Sequence, residues 1–397
     1  MSDSRHLHES PDAPGILIDV TRLIGRLMNG RLPTGVDRVC LAYIRRYGTY
    51  ARALIHWAGR GWALTPSASQ KLFALLLDPP PRFSRAAIPV IATSPPQPLP
   101  DNSRQKTFLF NIGHSGLERP GYADWIRRKN LRPLFMVHDL IPITHPEYCR
   151  PGELLRHQAR MDAVLTAAAA IVTNSQATLD ELSNYAESRR LPLPPATAAL
   201  LAPPPTLIPA DRPPIAEPYF VVVSTIEPRK NHWMLLQVWR RLVERHGSGQ
   251  APRLVVIGQR GWECENVVDL LERSKELQGV VHELPSCSDS ELATWLRHAR
   301  ALLFPSFCEG YGLPLVEALV LGTPAIAGNL PVFREIAADI PDYLDPLDGL
   351  GWQAAIEEYT LPDSIRRAAQ LERLSEYSPP TWKRHFSAVD RLLESIA

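Results

Sequence analysis

Short apolar runs alternate with segments of helical period along most of this chain. Residues 15–20, Gly-Ile-Leu-Ile-Asp-Val, read as a first strand. A loop at 30–35 follows, and Val36, Val39, Cys40, Tyr43, Ile44 and Tyr47 then mark one face of a helix. Further strands are predicted at 53–57, 107–111, 134–137 and 171–175, with helices at 153–170 and 176–187, the second capped by Asn174 or Ser175. Residues 72–77 form a short apolar helix or strand, and the proline-rich stretch 79–100 reads as an irregular surface loop. The dense prolines of 191–218 break helices and stiffen the backbone, as an interdomain connection requires. A second series then begins. Residues 219–224 are a continuous apolar run, as a buried parallel strand should be. Strands at 253–258, 280–285, 301–304 and 323–327 alternate with helices at 233–245, 266–278, 289–298 and 315–321. Three helices close the chain, at 351–358, 362–376 and 380–396. The pattern predicts an α/β protein of two doubly wound domains, residues 1–212 and 213–379.

Composition agrees. The chain has 397 residues, 45% hydrophobic and 21% charged, enough for two cores. A net charge of +1 gives no field for nucleic acid. The five cysteines form no C-x-x-C pair, which suits a reduced cytosolic protein better than a disulfide framework or zinc site. Residues 1–14 lack a signal-peptide core, and the mild apolar run 163–172 is too short to span a bilayer.

The chemistry gathers at 305–318, Pro-Ser-Phe-Cys-Glu-Gly-Tyr-Gly-Leu-Pro-Leu-Val-Glu-Ala. This is the end of a strand, a turn and a helix N-terminus, with Pro314 suited to the first helical turn. The N–H groups from Gly310 through Tyr311 and Gly312 to Leu313 would face outward with the positive end of the helix dipole and bind phosphate. Glu309 and Glu317 frame that end. Phosphate would repel both, so each reads as an acceptor for hydroxyls, as on two sugar rings flanking a diphosphate. By themselves their plainer reading is a turn cap and a solvated helix residue.

A second loop, 225–232, places Arg229 and Lys230 at a strand-to-helix turn where the dipole disfavours cations. That conflict suggests a diphosphate partner. The remaining candidates are open. His138-Asp139 follows a strand on the ligand side of an open sheet. Residues 113–116, Gly-His-Ser-Gly, are either a turn or an opening for an acceptor. His145 and Tyr148 lie in a loop that suits an acceptor pocket.

Residues 305–324, continued by Leu330-Pro331-Val332-Phe333-Arg334-Glu335-Ile336 and Asp345-Pro346-Leu347-Asp348, resemble the E-x7-E signature of the retaining GT-B glycosyltransferases, the family 4-like group. The resemblance implies two Rossmann-like domains facing across a cleft, the last helix (380–397) crossing back to the first. It implies a nucleotide-sugar donor on the second domain. Glu317 would take the ribose hydroxyls, Lys230 and Arg229 the diphosphate, Glu309 and His138 the donor sugar, Leu284 the base, and Gly35 would approach the diphosphate from the first domain. The usual Gly-Arg of the basic loop is replaced by Ser224-Thr225, so Arg229 stands in for the missing arginine. Residues 34–38, 138–142 and 227–231 are similar to bacterial transferases that build O-antigen or capsule with GDP-mannose or GDP-rhamnose. A GDP-linked hexose donor and a glycan or lipid-linked glycan acceptor follow, with UDP or dTDP as the alternative nucleotide. Arg127-Arg128-Lys129 and Arg189-Arg190 read as solvated faces or as contacts with an anionic membrane surface. No D-x-D triplet occurs, so no metal is expected, and no G-x-G-x-x-G follows the first strand, which argues against a nicotinamide cofactor. The rival classes are a nucleotide-sugar epimerase and a non-catalytic glycan-binding module.

Overall fold

The computed structural model describes residues 15–31, 34–57, 60–95, 107–204 and 208–396. Pro33, the N-terminal stretch 1–14 and parts of the two proline-rich stretches lie outside these residues. The chain divides into two compact units. One holds residues 1–140, 154–199 and 382–397; the other holds 141–153 and 200–381. The second unit takes up the chain again at Leu200 for a visible reason. The Leu201 carbonyl accepts from the Tyr311 hydroxyl at 2.6 Å, and Ala210 N–H donates to Thr294 Oγ1 at 2.9 Å.

The first unit is built on β1 (Ile16–Asp19), β2 (Ala51–Trp57), β3 (Arg60–Ala63), β4 (Thr107–Asn111), β5 (Leu131–Val137), β6 (Ala170–Thr173) and β7 (Ala196–Ala198). They lie in the order β3-β2-β1-β4-β5-β6-β7, parallel except for the β2–β3 pair. β1 and β4 are buried along their whole length, as expected of strands covered on both faces. β7 forms inside the proline-rich stretch: three residues between Pro195 and Leu200 keep their N–H groups and pair at the sheet edge. The last helix, Trp382–Ile396, packs in this unit. His385 Nε2 meets the Tyr43 hydroxyl at 3.0 Å, and Asp390 accepts from the Tyr47 hydroxyl at 2.7 Å and from Arg46 at 2.8 Å.

Elements that differ from expectation include two helices of this unit. A helix, Phe83–Ala92, replaces the irregular loop, because burial of Phe83 and Ala87 outweighs the hydrogen bond lost at Pro89. A helix Thr21–Met28 stands between β1 and the expected helix, which runs Gly35–Tyr47.

The second unit holds β8 (Tyr219–Val223), β9 (Arg253–Ile257), β10 (Val281–Leu284), β11 (Leu302–Phe304), β12 (Ala325–Gly328) and β13 (Asp342–Leu344), in the parallel order β10-β9-β8-β11-β12-β13. Phe220, Trp239, Trp352 and Tyr359 are fully buried beside this sheet. Their polar atoms are satisfied: Trp239 Nε1 donates to Pro252 O at 2.8 Å and Trp352 Nε1 to Asp345 O at 3.0 Å. In each sheet the chain order reverses beside the first strand, between β1 and β4 and between β8 and β11. Open α/β sheets place their ligands at the carboxyl ends of such strands.

Three strand ends of the second unit meet at Gly258. Its N–H donates to Leu284 O at 2.9 Å, its φ is +152°, and a Cβ there would lie 2.0 Å from Ser224 O. Gly258→Ala should therefore lower the unfolding free energy by about 2–4 kcal/mol. Gly249→Ala, where a Cβ meets nothing within 4 Å, should change it by less than about 0.5 kcal/mol. Equal midpoints in a urea titration of the two variants would contradict this reading.

Candidate active site

Two loops leave the carboxyl ends of the neighbouring strands β8 and β11. The first contains a single 3-10 turn, Pro228–Lys230, and then Asn231 with φ 56°, whose side-chain amide donates to Pro346 O at 2.8 Å. That left-handed residue turns the chain into the helix His232–His246. The second loop ends at Gly312, with φ +115°, where a Cβ would lie 2.7 Å from the Phe333 ring. The helix Leu313–Val320 begins there, with Pro314 in its first turn. The first N–H groups of any helix lack intrahelical acceptors, so this end carries partial positive charge. A backbone bond ties the loops together: Phe307 N–H donates to Arg229 O at 2.9 Å. The basic pair is thereby held beside the Glu309 segment on one edge of the sheet.

Between the loops lies a buried ion cluster. Glu309 Oε2 accepts from Arg229 Nη1 at 2.8 Å, and Oε1 accepts from the Ser306 hydroxyl at 2.7 Å and from Lys230 Nζ. Arg229 also donates to Cys308 O at 2.9 Å and pairs with Glu227 at 2.6 Å. Glu227, Lys230 and Ser306 are buried. Burial pushes the Glu309 carboxyl up, but Lys230, Arg229 and the Ser306 hydroxyl overcome it and hold the pKa down to about 2. Burial draws the Lys230 ammonium below its usual range, with Glu309 opposing. Burial likewise raises Glu227 against the pull of both cations. Glu227 and Glu309 thus answer the dipole conflict raised by the sequence. The cluster holds two cations in a fixed place, and Lys230 Nζ carries three N–H groups.

The other expected residues fall as follows. Gly310 to Leu313 form the helix entry. The Tyr311 side chain is buried and its hydroxyl is committed to Leu201 O, so the segment offers its backbone rather than that side chain. Glu317 is buried one turn into the helix, which excludes a solvated surface role. Leu284 ends β10 and its carbonyl accepts from Gly258. All of these belong to the second unit. Gly35 and His138 belong to the first. Gly35 opens the helix Gly35–Tyr47, capped by Thr34, whose N–H and hydroxyl both donate to Asp37 at 2.7 Å. Asp37 also pairs with Arg22 and Arg26. His138 is buried past the end of β5. Its Nε2 lies 2.7 Å from Ile112 O, so that nitrogen carries the proton. Its Nδ1 is then an acceptor without a partner among the described residues, and burial keeps the ring neutral by lowering its pKa.

Ser306 and His232 were not singled out from sequence, and Glu227 was noted only as part of the loop. Glu227 had a signal, a carboxylate two residues ahead of a cation pair. His232 had none. It is buried behind Lys230, with Nε2 3.3 Å from the Ser224 hydroxyl and Nδ1 unpartnered, and burial, then Lys230, lowers its pKa to about 3. Among the described residues no group of three or more His, Cys, Asp or Glu is placed to hold a metal ion. No helix among them is long and apolar enough to cross a membrane.

Two Rossmann-like units, the second with cations and a helix N-terminus at its switch point, define the architecture. The solved structures similar to this chain share that fold. HepE of Anabaena, in complex with UDP-glucose, matches with a TM-score of 0.66 over 96% of this chain and 99% of its own, at 14% identity. Sucrose-phosphate synthase of Thermosynechococcus elongatus matches at 0.61 with the same coverage and identity. The fold is GT-B. Residues 208–340 match the family described as glycosyl transferases group 1. Among curated relatives, the serotype-specific mannosyltransferase WbdA of Escherichia coli is 28% identical over 54% of this chain and 28% of its own length. The O-antigen chain mannosyltransferase B of Escherichia coli is 29% identical over 64% of this chain and 67% of its own. The O-antigen chain mannosyltransferase RfbU of Salmonella typhimurium is 34% identical over 38% and 41%. The chain thus spans less than a third of the length of WbdA.

Two outcomes test the cluster. Glu309→Gln leaves two buried cations short of a counter-charge and should cost about 3–5 kcal/mol in urea unfolding; a loss below about 1 kcal/mol would mean that the pairing is exposed and weak. His232 binds its proton less readily folded than unfolded. Its stabilising contribution is complete above pH 6.5 and is lost as pH falls from there through about 3. Between these limits wild type should lose up to about 1.4 kcal/mol per pH unit more than His232→Gln. Parallel stability curves for the two would contradict a buried neutral ring.

Proposed function

We propose that this chain is a retaining glycosyltransferase that moves a hexose of mannose or rhamnose type from a nucleotide sugar to a hydroxyl of a growing cell-surface glycan, as in O-antigen assembly. The observation that carries this reading is the Phe307–Arg229 backbone bond, which sets the cation pair beside the helix end at Leu313. A leaving diphosphate needs cations and N–H donors converging from fixed positions, and this edge offers both. The group 1 match and the mannosyltransferase relatives support the reaction class.

The donor sits on the second unit. Glu317 accepts from the ribose hydroxyls and the Leu284 turn borders the base. Lys230, Arg229 and the amides of 310–313 neutralise the diphosphate. Glu309 orients the two cations and keeps a lone pair on Oε2 for a sugar hydroxyl. The anomeric carbon–oxygen bond to the diphosphate breaks while the bond to the acceptor oxygen forms on the same face, and the acceptor proton passes to the departing phosphate. The helix end, Lys230 and Arg229 take the place of a metal. GDP is the nucleotide implied by the resemblance of residues 34–38, 138–142 and 227–231; HepE was solved with UDP-glucose. The acceptor is a glycan or lipid-linked glycan, met in the cytoplasm or at the inner membrane face.

A thermal-shift screen of GDP-, UDP-, dTDP- and ADP-sugars identifies the donor, since a ligand at 100 times its Kd stabilises by about 2.7 kcal/mol. GDP-mannose or GDP-rhamnose should give the largest shift. With that donor, Lys230→Ala and Arg229→Ala should each lower kcat by about 10²–10³-fold. Turnover near wild type in both would dismiss the assignment. Conversion of donor to a new sugar nucleotide without acceptor would favour an epimerase instead.

A further inference from the structure

The helices His232–His246 and Glu265–Arg273 follow the neighbouring parallel strands β8 and β9 and flank one groove. Trp233 and Arg240 line it from the first helix. Asn266, Asp269 and Arg273 line it from the second, and Glu276 lines it just beyond. None of these residues belongs to the cation cluster. The groove holds about 530 Å³, and small-ligand sites usually hold about 300–1,000 Å³. Trp233 and Arg240 lie two helical turns apart, so it runs for about 10 Å along the helix.

The first helix buries one of its two indoles, Trp239, completely, yet Trp233 is 47% exposed. An exposed tryptophan standing alone needs no explanation. This one shares a groove with polar groups that have capacity left. Arg240 is poorly satisfied: its Nε is buried without a hydrogen-bond partner, its Nη1 reaches Gln237 Oε1 only at 3.4 Å, and it stands 4.0 Å from Glu276. Glu276 turns instead to the Ser274 hydroxyl, which donates to Oε2 at 2.6 Å. Arg273 and Asp269 pair at 3.1 Å, and both are more than half exposed. A guanidinium carries five N–H donors and a carboxylate about four acceptor positions, so one contact leaves most of each unused.

We propose that this groove is a second carbohydrate site, separate from the reaction centre, that holds a stretch of neutral glycan. The proposal rests on the glycosyltransferase reading for the source of that glycan, the product chain. The lining selects the ligand. Three cations, Arg240, Arg273 and Lys275, stand against two carboxylates, Asp269 and Glu276, so the charge is nearly balanced. A phosphate would meet both carboxylates at once. An anionic membrane would meet exposed Glu265 as well. An apolar ligand would cover charged groups without bonding them. A pyranose avoids all three costs. Its hydroxyls donate to Asp269 and Glu276 and accept from Asn266, Arg240 and Arg273, while its C–H face lies on the indole of Trp233, a large rigid apolar surface. The length of the groove suits two linked rings.

The test uses the full chain with an α-linked mannotetraose as the probe, titrated by saturation-transfer NMR. Thermal shifts with GDP-, UDP-, dTDP- and ADP-sugars are measured in parallel. Wild type should bind the tetrasaccharide, and Trp233→Ala and Arg240→Ala should each weaken it at least fivefold while the nucleotide-sugar shift is unchanged. Both side chains are partly exposed, so both variants should fold. Equal tetrasaccharide affinity in wild type and the two variants would overturn the proposal, as would a wild type that shows no saturation transfer. Phosphatidylglycerol vesicles that bind wild type but not Arg240→Ala would make the groove a lipid site and would also overturn it. No thermal shift with any nucleotide sugar would count against the transferase reading, while tetrasaccharide binding lost in the variants would still uphold the groove.

Discussion

The structure of the second unit turns on one carboxylate. Glu309 is buried between Lys230 and Arg229, residues about 80 positions earlier in the chain, and it fixes both. Without it the two cations would stand at the N-terminus of the helix His232–His246, where the dipole repels them, inside a site that excludes water. With it, two loops from adjacent strands become one rigid edge. Buried ion pairs are a poor source of stability when an apolar alternative would fit as well. Their presence here is better explained by a need for fixed positive charge than by a need for cohesion.

The surrounding backbone serves the same end. Gly258 lets three strand ends approach to the limit of contact, and Gly312 lets the helix Leu313–Val320 start directly against the Phe333 ring. Side chains would separate these segments by more than the reach of a hydrogen bond. Close backbone approach at the carboxyl edge of a parallel sheet is how such folds bring N–H groups to a phosphate.

Much of this was legible in the sequence. Strand β4 and the helix Asp289–His298 fall where the periodicity places them, because apolar runs and capping residues act locally. Ser288 caps that helix, its hydroxyl accepting from Glu291 N–H at 3.2 Å. The helix Phe83–Ala92 was hidden by its proline, and the helix Thr21–Met28 by arginines that look solvated until Asp37 is seen to hold them. The direction of Glu309 was not legible. A loop carboxylate reads as a free acceptor until its distant partners are known, and no local pattern reports a contact made across 79 positions. His232 escaped for the same reason: only burial makes its ring chemically unusual.

Arg229 and Lys230, held by Glu309, are proposed to grip a diphosphate. Calorimetric titration with the preferred nucleoside diphosphate and with its nucleoside, against wild type and Lys230→Gln, measures that grip directly. In wild type the diphosphate should bind far more tightly than the nucleoside. In the variant most of that difference should vanish while nucleoside affinity stays the same. An undiminished difference in Lys230→Gln would contradict the account.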